Sequence, residues 1–168
     1  MFDFDREIDR SGTMSLKWDK YKGQDVLPMW VADTDFASPP AVIEALTARV
    51  AHGIFGYSRP SPRLIELIIT RMQQRYGWTI SPEWLVFLPG VVPGLNLACK
   101  AWSQHGRGII TPKPVYYPFL QAPGFNDRPL LTVPMIEEAG RWVLDLEELE
   151  RQAPSADLLL LCNPHNPG

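Results

Sequence analysis

The chain has 168 residues, 45% of them hydrophobic and 21% charged, and its 16 Lys and Arg against 19 Asp and Glu leave a net charge of −3. This balance excludes a disordered polymer, argues against a broad nucleic-acid surface or an anionic membrane as partner, and suits a soluble domain with a proper core. No apolar run reaches the roughly 18–20 residues that span a bilayer, the opening MFDFDREIDR lacks the apolar segment of a secretory leader, and Cys99 and Cys162 make no disulfide framework, so a cytoplasmic location is expected.

Residues 1–37 read as an extended arm in which charges are interleaved with aromatics and no helical or alternating period is sustained. Such an arm is stable only against the rest of the chain or a partner subunit. Ser38-Pro39-Pro40 predicts a helix start, a hydroxyl cap followed by proline in the first turn. Val42, Ile43, Leu46 and Val50 would form its buried stripe, and Gly53 would end it. A second helix opens at Ser61-Pro62, shows Leu64, Ile65, Leu67, Ile68 and Met72 on a broad apolar face, and stops at Gly77. Between the two lies the glycine-flanked aromatic turn GIFGY.

The run 84–88 (WLVFL) is continuously apolar, fit for a strand buried on both faces. Pro89-Gly90 turns the chain, and Val92, Leu95, Ala98 and Trp102 follow at helical spacing. Residues 108–110 predict a strand, 114–120 a turn into a brief helix, 130–133 a strand, 144–151 a helix and 157–161 a strongly apolar strand. The 17 prolines, about twice the average usage of roughly 5%, sit at the joints between these elements and fix sharp turns. Strands alternating with helices predict an α/β fold with a largely parallel sheet, residues 38–168, behind the 1–37 arm. A sheet of this kind continues through a helix on its face, and none follows the last strand here, so the fold is expected to be incomplete.

Three joints carry candidate chemistry. In LVFLPGVVPGL the backbone N–H groups of Gly90, Val91 and Val92 would open a helix just past a strand, where first-turn amides and the helix dipole attract anions; the same pattern also suits a plain strand–helix turn. Neither GxGxxG nor GxxxxGK[ST] is present. PVYYPF places Tyr116 and Tyr117 between prolines, either over a planar ligand or in core or subunit contacts. LCNPHNPG has two Asn-Pro pairs that force a rigid, extended exit and aim the Asn163 and Asn166 amides; one of its peptide bonds is a candidate for cis geometry. Cys162 and His165 form a lone C-x-x-H pair, too few ligands for structural zinc, so His165 reads as a satisfied polar residue. KWDKYK reads as a solvated or subunit-facing segment rather than a strand-binding one.

In this order the segments DRSGTMSLKWD, PMWVADTDF, HGIFGY, LPGVVPGL, PVYYPF and LCNPHNPG resemble the amino-terminal half of a pyridoxal-phosphate enzyme of the aspartate aminotransferase fold. The resemblance is nearest to the MalY/PatB-like cystathionine β-lyases and cysteine-S-conjugate β-lyases within class I/II aminotransferases. It implies an incomplete fold of that type, pyridoxal 5′-phosphate as cofactor, a small amino-acid substrate and a homodimer, with no nucleic-acid or membrane partner. It also implies roles. Val91 and Val92 would hold the phosphate through backbone amides, Tyr116 would stack on the pyridine ring with Tyr117 beside it, and Asn166 would hydrogen-bond the phenolic oxygen. Tyr57 would reach a neighbouring subunit's cofactor, and Trp30, Ala32 and Asp33 would line the substrate side. The Schiff-base lysine, the acidic partner of the pyridinium and the carboxylate-clamping arginine are expected downstream, so no catalytic residue is assigned here and the 168 residues alone are expected to be inactive. Where the family tends to carry an acidic residue, this chain has Arg107. Two alternatives stand beside the lyase: an aminotransferase of the same fold, and a truncated, non-catalytic protein or regulator.

Overall fold

A computed structural model describes residues 3–167, which divide after Pro60 into two compact units. In the first, the arm is not wholly extended: α1 (Leu16–Asp19) forms a single turn, and the rest before Pro40 is irregular backbone broken by bends and turns. Helix α2 (Pro40–His52) begins one residue later than the sequence predicts, with Pro39 in the cap position and no side-chain cap bond. Ser38 makes no capping bond to the first-turn amides. Gly53 does end the helix, at φ +74. The stripe expected to be buried is not: Val42, Ile43, Leu46 and Val50 are 45–66% exposed, because nothing among the described residues covers that face.

The second unit opens with α3 (Pro62–Tyr76). Ser61 caps it by accepting the Leu64 N–H at 3.2 Å, Pro62 occupies the first turn, and Gly77 closes it in the left-handed region. Residues 85–88 belong to no strand, a correction to the sequence reading. They follow a 3-10 turn at Pro82–Trp84, and Val86 is 79% exposed. An apolar run becomes a strand only when a neighbour accepts its ladder of hydrogen bonds. None of the described strands lies beside it.

Helix α4 (Val91–Trp102) leads to β1 (Gly108–Lys113), then α5 (Tyr117–Phe125), β2 (Leu130–Glu138), β3 (Arg141–Leu144), α6 (Leu146–Gln152) and β4 (Ala156–Leu159). The sheet order is β3-β2-β1-β4; β1 pairs in parallel with β2 and β4, and β3 is an antiparallel edge. The hairpin was not expected from sequence: β2 runs five residues past 133, and Leu144 lies in β3 rather than in the next helix. Asp145 caps α6 instead, accepting the Glu148 N–H at 2.9 Å. The core is the cluster Cys99, Ile109, Val115, Phe119, Ala122 and Leu160, drawn from α4, β1, the β1–α5 connection, α5 and the exit of β4. Among the described residues, no helix is long and apolar enough to cross a membrane.

Candidate functional site

The site is built where the parallel strands end. The carboxyl end of α4 is tied to the amino edge of the sheet: the Gln104 N–H donates to Asp157 at 3.0 Å, and Arg107 donates to Asp157 at 2.9 Å and to the Ala156 carbonyl at 3.1 Å. The Asp157 carboxyl is held below its ordinary range, first by that backbone N–H and then by Arg107. Arg107 is thus a fastener of the sheet's far edge. A 12-residue helix is about 18 Å long and a six-residue strand about 20 Å, so α4 spans the sheet and its first turn lies at the carboxyl edge. Leu95 and Cys99 pack into the core beside Val115 and Phe119, which follow the carboxyl end of β1.

At that first turn Gly90 has φ +147, a conformation that favours glycine. The amides of Val91 and Val92 precede the helix's first internal bond, Gly94 N–H to the Gly90 carbonyl at 3.2 Å, and Pro93 has no N–H. Two donors therefore face outward at the positive end of the helix dipole. Asn96 and Asn126 brace the turn. Asn96 donates to the Val92 carbonyl at 3.0 Å, while Asn126 donates to Asn96 at 2.9 Å and to the Ala122 carbonyl at 2.8 Å.

The exits of β1 and β4 meet at the same edge. The Tyr116 N–H donates to the Asn166 carbonyl at 2.7 Å, and His165 Nε2 lies 2.8 Å from the Pro114 carbonyl. Lys113–Pro114, Asn163–Pro164 and Asn166–Pro167 are all cis. Tyr116 and Tyr117 meet edge to face, ring centroids 5.0 Å apart. Burial, and then Tyr117, push the Tyr116 phenol upward, so it stays neutral through the physiological range. Among the described residues the Asn166 carboxamide makes no hydrogen bond, which leaves it free for a ligand.

Val91, Val92, Tyr116, Tyr117 and Asn166 thus share one sheet edge. The other four predicted site residues lie in the unit ending at Pro60. There Asp33 pairs with Arg10 at 2.7 Å, the Trp30 indole donates to the Lys17 carbonyl at 3.3 Å, Ala32 is exposed, and Tyr57 is fully exposed. Sequence reasoning missed what organises this unit. Asp35 accepts from Lys17 at 2.5 Å, from the Trp18 indole at 2.8 Å and from Arg10 at 2.8 Å, which together hold its carboxyl far below the usual range. Lys17, read as part of a solvated or subunit-facing stretch, is buried and also donates to the Asp33 carbonyl at 2.9 Å. The doubled acid of ADTD was the only available signal, and it does not name its partners.

Comparison with known proteins identifies the family. The chain is 44% identical to cystathionine beta-lyase PatB of Bacillus subtilis (strain 168), over 98% of its own length and 44% of that enzyme's. The crystal structure of OvoB superposes with a TM-score of 0.91 at 49% identity. Cystalysin from Treponema denticola, which contains pyridoxal 5′-phosphate, superposes with a TM-score of 0.90 at 32% identity. Each of these two structures covers 99% of this chain, which covers 44% of theirs. The chain therefore spans less than half the length of the relatives it matches. Residues 24–168 match the model of aminotransferase class I and II, and the chain belongs to that family.

Proposed function

We propose that this chain is the amino-terminal portion of a pyridoxal-phosphate-dependent carbon–sulfur β-lyase acting on cystathionine or cysteine S-conjugates. The observation that carries the reading is the junction, where β1 and β4 end, of an aromatic pair and an unengaged carboxamide, and the span of α4 sets two free helix-start amides toward the same edge. These groups fit a phosphorylated pyridine. Val91 and Val92 donate to a phosphate dianion at a helix N-terminus, Tyr116 offers a flat neutral face with Tyr117 beside it, and Asn166 donates to a phenolic oxygen. When bound, pyridoxal 5′-phosphate supplies the electron sink that accepts charge from the substrate Cα as thiol leaves from Cβ, with pyruvate and ammonia as final products. The residues of this chain anchor and orient; the proton transfers belong to groups outside it. Trp30, Ala32 and Asp33 line the substrate side in this reading, and the Arg10 and Lys17 contacts hold their segment in shape. Tyr57, wholly exposed in its own unit, is free to reach the cofactor of a second subunit in a cytoplasmic homodimer.

The test is turnover. Given L-cystathionine, the intact protein releases pyruvate faster than it transfers the amino group to an added keto acid. Faster amino transfer would reverse the assignment. The 168 residues alone release no pyruvate, and turnover by this chain in isolation would overturn the division of labour.

A further inference from the structure

Two backbone-directed contacts join the loop after β1 to the loop after β4, and one of them comes from a side chain with no role in the function proposed above. His165 points Nε2 at the Pro114 carbonyl, 2.8 Å away. A carbonyl oxygen has no proton to offer, so Nε2 carries the hydrogen and donates. One residue further along, the Asn166 carbonyl takes the Tyr116 N–H at 2.7 Å. Each bond starts or ends next to a ligand-facing group: Pro114 lies two residues before Tyr116, and His165 directly precedes Asn166. His165 and Pro114 also border a small hollow together with Pro167 and with Met135 and Trp142 of the β2–β3 hairpin.

We propose that His165 is a positioning residue of this site, whose Nε2–H clamps the Tyr116 loop to the Asn166 loop so that the phenol ring and the carboxamide meet one ligand in fixed relation. The proposal rests on the assignment of pyridoxal 5′-phosphate to this edge. With the Asn166 carbonyl already engaged by Tyr116, only the direction of its carboxamide is left to set, and the His165 anchor sets it. Misplacing such a group by about 1 Å costs on the order of a hundredfold where geometry governs the step. The hairpin, absent from the predicted elements, borders the hollow beside this clamp.

The intact protein separates the outcomes. Equilibrium binding of pyridoxal 5′-phosphate, followed by tryptophan quenching and by the absorbance maximum of the bound ligand, is compared for the wild type, His165→Gln and His165→Met. Gln places an N–H donor near the Nε2 position, while Met matches its shape without a donor. The expected result is that Met weakens binding at least tenfold and moves the absorbance maximum, whereas Gln stays within about threefold of wild type, in line with the roughly tenfold cost of one hydrogen bond. Equal affinity and equal spectra for Gln and Met overturn the clamp while leaving the cofactor reading intact. Failure of the wild type to bind pyridoxal 5′-phosphate overturns both.

Discussion

Up to Pro60 the buried side chains among the described residues are Ser15, Lys17 and Pro28, whereas from Ser61 onward Cys99, Ile109, Val115, Phe119, Ala122 and Leu160 pack as one apolar cluster. The first unit is organised by charge, with Arg10, Lys17 and Trp18 all converging on Asp35. The second is organised by a parallel sheet and the helices that cover it. The difference lies in how each responds to perturbation. Apolar burial is non-directional and insensitive to pH, while a carboxylate network needs its charge and its donors in place. The segment assigned to the substrate side therefore depends on the ionisation of one acid, and the segment assigned to the cofactor depends on packing.

The strongest way to break this contrast is Phe119→Ala. Truncating a core aromatic costs about 3–5 kcal/mol, and denaturant unfolding should show the loss in the second unit, where Phe119 is 7% exposed. Gly108→Ala comes next. A Cβ there would lie 2.5 Å from Leu131 Cδ1 and 3.1 Å from the Ser155 carbonyl oxygen. Forcing these apart costs about 1–3 kcal/mol, visible as a lower unfolding midpoint; an unchanged midpoint would mean that β1 and β2 are looser than their packing indicates. Ser61→Ala removes the α3 cap and about 1 kcal/mol, read from the same curves.

The charge-held unit calls for a pH experiment. Hydrogen bonds from Lys17, Trp18 and Arg10, in that order, depress the folded-state value of Asp35 below its unfolded value of about 3.9. Its contribution is thus complete above that unfolded value and is lost as the pH falls through the folded one. Protease protection of the arm should persist at pH 5 and fade only in stronger acid. Asp35→Asn should remove that acid step while leaving the second unit's unfolding unchanged. At the bottom of the scale, breaking the exposed Arg63–Glu66 pair with Arg63→Ala should leave every midpoint where it was, since both side chains are more than 60% exposed.

Much of the second unit was legible from local signals. Ser61-Pro62 and Gly77 bracket α3 as read, because caps and left-handed glycines act within a few residues. The β2–β3 hairpin escaped notice because its two-residue turn is Ala139-Gly140, both at positive φ, without the Asn-Gly or Asp-Gly pair that normally announces such a turn. Residues 85–88 were misread for the opposite reason: their composition suits a strand, but strand formation depends on a neighbour. Of the candidate site, the LPGVVPGL, PVYYPF and NPHNP segments were each visible. Their meeting was implied by the family resemblance alone and by no local pattern, because the joining of the last two depends on β1 lying beside β4 across nearly 50 residues of chain.

By itself the sequence determined where α3 starts and stops, that α2 ends at Gly53, that the sheet is largely parallel, and which family the segments resemble. Those are matters of caps, periodicity and local backbone preference. Tertiary structure alone decided that Lys17 is buried against Asp35, that Trp142 and Met135 border one hollow with His165, and that Tyr116 donates to Asn166. Each of these joins residues far apart in the chain, and such contacts are set by how elements pack in space, which no local pattern encodes.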